Sequence, residues 1–209
     1  MEENNFLNGN KKPTPTDATL AKCYFPLLVE ISNKQEKVTF KQFLRMAKSK
    51  YPKNEAVQNA IPVSTGRRLE YVRIFTKAND LPDLSAWIVN QAGTNSNEYL
   101  ADFDPDQERE RCKITDWSEH VDNFEVYTEK LDKIAIKMKR RKKLECASLI
   151  GEFYLKIKDD LPNPKKLPQV ELVSKYRPGI EESLMEGLDV ETAFAAMLSD
   201  FAYEERRIG

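Results

Sequence analysis

A chain of 209 residues, 40% hydrophobic and 32% charged, can build one medium domain or two small ones with real cores. Its net charge of -1 argues against a simple nucleic-acid coat but leaves room for a local binding patch. The most apolar window, Tyr24 to Ile31, is far too short to cross a bilayer, and no apolar signal core follows the polar start Met1-Glu2-Glu3. A cytoplasmic protein without membrane contact is therefore expected. Cys23, Cys112 and Cys146 are odd in number and far apart, which suggests neither a disulfide framework nor a thiolate metal site. Each is read as a small hydrophobe on a helix face.

Residues 1 to 16 are rich in Asn, Gly, Lys, Pro and Thr and are expected to be a flexible N-terminus. A first helix is expected from Thr16 or Asp17 as cap to about Ser32, with Leu20, Tyr24, Leu27, Leu28 and Ile31 on its buried face. Pro26 within it is awkward, because proline removes a donor and clashes with the preceding turn, and a kink there or an earlier helix end is the alternative. Thr39 is the cap expected for a second helix carrying Phe40, Phe43, Leu44 and Ala47, and Tyr51-Pro52 ends that helix. A further helical turn follows over Ala56 to Ile61.

Pro62 to Leu81 reads as a compact helix, capped by Ser64 or Thr65, with Leu69, Val72, Ile74, Phe75 and Ala78 for packing. Arg67, Arg68, Arg73 and Lys77 are expected to form its basic exposed side. Trp87, Ile88 and Val89 favour an extended segment, Asn90 to Asn97 is a turn, and Tyr99 to Phe103 is the expected return strand. Trp87 is expected to serve as a core anchor. Helices followed by a hairpin have the element order of a winged helix, in which one helix enters the major groove. The expected fold is mainly α with a small β-hairpin (α+β): a winged-helix-like unit over 17–104, then a helical unit over 107–209 with an acidic C-terminal segment.

Gly66-Arg67-Arg68-Leu69-Glu70-Tyr71-Val72, followed by Leu81-Pro82-Asp83-Leu84-Ser85-Ala86-Trp87-Ile88-Val89-Asn90, resembles a segment recurring in uncharacterised phage and mobile-element proteins. In those a Gly-Pro-Gly-like turn is expected after the strand, where this chain has Gly93-Thr94-Asn95-Ser96-Asn97. The resemblance implies a phage or mobile-element origin and carries no catalytic residue.

Beyond Asp106, Trp117, Val121, Phe124 and Tyr127 make an aromatic helical stripe. One long helix, or two joined near Gly151, is expected between about Val121 and Asp160. Lys137, Lys139, Arg140, Arg141, Lys142 and Lys143 place positive charge in its middle. Asp160-Leu161-Pro162-Asn163-Pro164 is a firm break, and Lys165 to Pro178 reads as a linker. Short helices are expected over Ile180 to Glu186 and Val190 to Tyr203, parted by Gly187, with Asp189 capping the second. From Glu171 onward nine acidic residues stand against four basic ones.

His120 is the only histidine and has no cysteine beside it, so it is a poor zinc ligand. Asp102, Asp104, Asp106, Glu108 and Glu110, with Lys113 after them, could serve a metal-dependent nuclease. A capped, solvated helix start explains the same composition. Gly66 is no phosphate loop, since the other glycines and a following Lys-Ser or Lys-Thr are missing. No cofactor or metal is expected. Three readings remain: a non-catalytic nucleic-acid-associated protein contacting DNA or RNA through the ten cations named above, a protein-interaction factor modulating a host or defence enzyme, and an unrecognised nuclease. Self-association is open in each.

Overall fold

The computed structural model describes residues 13–90, 93–95, 103–135, 140–158 and 169–195, without the side chains of 62–64, 67 and 169–172. It is mainly helical and divides into two compact units, Met1–Lys137 and Met138–Gly209.

In the first unit, α1 (Pro15–Lys34) starts earlier than its apolar periodicity suggests. Thr14 is the cap. Its hydroxyl accepts from the Asp17 amide at 3.2 Å, and the Asp17 carboxylate accepts from the Thr14 amide at 3.0 Å. This reciprocal box satisfies two donors of the first turn. Pro13 and Thr14 are buried, so 13–16 belong to the fold and not to a flexible N-terminus; residues 1–12 lie outside the described residues. Pro26 does not end the helix. The residue whose carbonyl it frees, Lys22, is exposed, so water can replace the lost bond.

Leu20, Tyr24, Phe25, Leu28 and Ile31 are all fully or almost fully buried, which makes α1 the axis of the unit. Around it stand α2 (Phe40–Lys50), the short α3 (Glu55–Asn59), α4 (Pro62–Ala78), α5 (Pro105–Ile114) and α6 (Ser118–Ile134). Phe25 stacks on Phe124 at 4.1 Å and meets Phe75 and Trp117 edge-on at 5.7 and 6.1 Å. One aromatic cluster thus ties together α1, α4, α6 and the residue before α6.

The strands differ from the expected hairpin. Asp83 accepts from the Ser85 amide at 2.8 Å and opens a 3-10 turn over Leu84–Trp87, where an extended chain was expected to begin. Trp87 is buried in the core, as its size requires. Then β2 (Ile88–Val89) pairs with β1 (Val38–Thr39) in parallel, Val38 beside Ile88 and Thr39 beside Val89. Local turn chemistry could not reveal this pairing, because its strands lie fifty residues apart. Val89 also bridges Asn95 antiparallel across the turn at Gly93, whose φ of 80° suits glycine. The expected return strand falls mostly on 99–102, outside the described residues.

The boundary between units is not at 104–107. Cys112, Trp117, Phe124, Tyr127 and Leu131 belong to the same core as α1, so α5 and α6 complete the first unit. Nor does one helix span Val121 to Asp160: α6 ends at Ile134 and α7 (Lys143–Ile157) begins after residues 140–142, which are not helical. Gly151 sits inside α7 and joins nothing.

In the second unit, α7 packs on α8 (Gln169–Met185). The stretch 169–178 is helical, not a linker. Val173, Tyr176, Ile180 and Leu184 recur at helical spacing across Pro178 and bury against Cys146, Ile150, Ala193 and Phe194. Pro178 points to the exposed side. Gly187, at φ 101°, closes α8: its amide donates to the Leu184 carbonyl and the Leu188 amide to that of Ser183. Asp189 caps the next helical stretch, accepting from the Thr192 amide at 2.7 Å.

Candidate nucleic-acid interface

The described cations among those singled out from the sequence differ in their surroundings. Arg68 is 0% exposed and lies 3.0 Å from the Asp17 carboxylate, so it is an internal ion pair and not part of an exposed basic side. The Leu69 and Val72 stripe of α4 faces the core, and Arg68 is drawn in beside it to neutralise the capping carboxylate of α1. Arg73 is half-buried and forks onto Glu70, its Nε donating at 2.8 Å. Lys77 is exposed. Lys137 and Lys139 lie outside the described residues, as does the side chain of Arg67.

In the second unit, Arg141 is structural. Its Nη1 donates to the carbonyls of Leu184 at 3.2 Å and Leu188 at 2.5 Å, and its amide donates to the Met185 carbonyl. It therefore caps the C-terminus of α8, where the helix dipole favours a cation. Arg140, Lys142 and Lys143 are exposed, with Lys143 3.9 Å from Glu181.

A more concentrated basic surface lies on α2. Thr39 and Gln42 form a capping box: the Gln42 amide donates to the Thr39 hydroxyl, and the Gln42 side-chain oxygen accepts from the Thr39 amide at 2.8 Å. Phe43, Leu44 and Ala47 turn inward. Lys41 and Arg45, both exposed, and the half-buried Lys48 follow one another at spacings of four and three along one side. The helix contains no acidic residue. Lys50 pairs with Glu30, whereas no described residue forms an ion pair with Lys41, Arg45, Lys48 or Lys53. Lys34 and Lys37 are exposed just before it, Lys37 at 4.0 Å from Asp106. The apolar periodicity of this stretch marks only the inner side of the helix. The available signal was four cations without a single acid over 40–50, inside a chain that is nearly neutral overall.

The acidic run is committed to α5. Asp104 accepts from the amides of Asp106 and Gln107, while Asp106, Glu108 and Glu110 pair with Arg109, Arg111 and Lys113 respectively. Arg109 and Ser118 hold the carboxyls of Asp106 and Asp116 below the usual range. Among the described residues no group of His, Cys, Asp and Glu is placed to hold a metal ion. His120 is half-buried with its ring 6.3 Å from that of Trp117.

One buried polar group stands apart. Burial pushes the Asp83 carboxyl up to about 6, against the hydrogen bond from Ser85 and the nearby charge of Arg73. Its amide donates to Glu108 at 2.5 Å. Beside it, burial pushes the Cys112 thiol up to about 12, so it is a packing group and not a nucleophile. No family model, no curated protein and no solved structure matches the chain.

Proposed function

We propose that this protein is a non-catalytic nucleic-acid-binding protein whose main contact surface is the outer side of α2. The observation that carries the reading is a capped helix with Lys41, Arg45 and Lys48 in line, no acid within it and, among the described residues, no ion pair to neutralise that line. Such a surface attracts phosphate and releases counterions on contact. Arg140, Lys142 and Lys143 supply a second set of exposed cations. The winged-helix-like character of residues 17–104 belongs to the same proposal, supported by the antiparallel bridge from Val89 to Asn95. The phage or mobile-element origin rests on the resemblance alone.

The test is equilibrium binding of the full chain to labelled nucleic acid across a salt series. Affinity should fall linearly on logarithmic axes as salt rises. A flat or absent response removes the reading. A protein-interaction role, modulating a host or defence enzyme, is the second reading, favoured by the exposed apolar side chains of Ile114 (87%) and Leu144 (85%).

A further inference from the structure

We propose that the ligand is duplex DNA and that α2 lies in its major groove, with Arg45 toward the base edges and Lys41 and Lys48 toward phosphates. This rests on the nucleic-acid reading and narrows it to one class of ligand. Three physical constraints point the same way.

The first is shape. Eleven residues of α-helix are about 16 Å long, and a B-form major groove about 12 Å wide admits a helix. Lys41 to Lys48 spans roughly 10 Å along the axis, with Arg45 about one turn from each on the same face. An arginine in that central position can donate twice to the O6 and N7 of guanine. Gln42 is more limited, because its side-chain oxygen is held by the Thr39 amide and hydroxyl at 2.8 Å each. It keeps only its amide hydrogens for a ligand.

The second constraint is that, among the described residues, α2 offers no free aromatic ring for stacking. Single-strand binders place aromatic rings under successive bases. Phe43 is buried and Phe40 is packed against the core. Tyr51, at the end of the helix, is half-buried with the Lys50 ammonium 5.9 Å from its ring centre. The third constraint is the groove itself. A-form RNA has a deep, narrow major groove that side chains cannot read, so a helix-borne arginine gains nothing there.

The experiment compares a mixed-sequence DNA duplex of about two turns, one of its strands alone, and the RNA duplex of the same sequence. Each is titrated against the full chain and against Lys41→Gln/Arg45→Gln/Lys48→Gln. Glutamine is close to lysine and arginine in helix propensity, so the helix should persist, and circular dichroism checks this. Duplex DNA should bind at least tenfold tighter than the other two. The triple variant should lose about 1.8 from the salt slope, since Lys41 and Lys48 each make one phosphate contact contributing about 0.9. Arg45→Gln alone should flatten discrimination between duplexes of different sequence while changing the slope by one contact or less. If the single strand or the RNA duplex binds as tightly as duplex DNA, the duplex inference is overturned and the broader reading stands. An unchanged slope in the folded triple variant places the interface elsewhere. If the wild type binds none of the three, both fail together.

Discussion

Arg68 and Asp17 show how far a residue's role can lie from its charge. Asp17 caps α1 by accepting from the amide and hydroxyl of Thr14, and Arg68 neutralises it in a site without water-facing surface. Removing the arginine alone leaves an uncompensated buried charge, which costs about 3–5 kcal/mol. Arg68→Ala should therefore shift the urea midpoint strongly, and a loss below 1 kcal/mol would show that the pair is solvated. Asp83 makes a second, pH-dependent case. Its carboxyl is raised from 3.8 to about 6 by burial, so the folded state holds its proton more tightly than the unfolded chain. The resulting stability is complete below pH 4 and is lost as pH rises through 6. The difference between the two values amounts to about 3 kcal/mol. Urea midpoints of the wild type should accordingly fall between pH 4.5 and 7.5, and Asp83→Asn should remove most of that fall whatever its absolute stability. An equal pH response in both proteins would mean that Asp83 does not titrate in this range.

Elements, in turn, follow from how their ends and faces are satisfied. Pro26 and Pro178 sit inside helices because each stands off the buried stripe and the apolar positions on both sides continue one face. Packing outweighs a proline when the freed carbonyl can meet solvent. The basic run before α7 divides by the same logic. Arg141 satisfies the last carbonyls of α8, whereas Arg140, its neighbour in sequence, is exposed. Arg141→Ala should destabilise the protein by about 1–3 kcal/mol, the range for a hydrogen bond from a charged group. Arg140→Ala should stay within about 0.5 kcal/mol of wild type. Equal effects in a paired thermal melt would show that the run acts as a solvated patch and that the cap contributes nothing.

At the scale of the whole molecule, the division at 137/138 has a physical basis in the aromatic cluster around Phe25. Phe124 stacks on Phe25 and meets Phe75 edge-on at 4.9 Å, so α6 joins the packing of α1 and α4. A fragment of residues 1–137 should unfold cooperatively in urea and keep a near-ultraviolet dichroism signal from its buried rings. A fragment ending at Asp104 loses Trp117, Phe124, Tyr127 and Leu131 from that core and should lack both properties. Cooperative folding of the shorter fragment would return the boundary to the composition change near Asp106.

The sequence by itself determined the helical class, the buried stripe of α1, the Thr39 cap, the burial of Trp87 and the Asp189 cap. Each is a local matter of spacing or of one side chain reaching a backbone group a few residues away. Only the tertiary structure decided that β1 and β2 pair in parallel, that α5 and α6 belong to the first core, and that Arg68 is internal. It also decided which cations stay open. Lys41, Arg45 and Lys48 do so because no carboxylate among the described residues is brought to them, while Arg68 and Arg141 are claimed by Asp17 and by the end of α8. The charge of a lysine or arginine is local information. Whether that charge is neutralised depends on partners tens of residues away, and loop closure over such distances leaves no periodic trace in the chain.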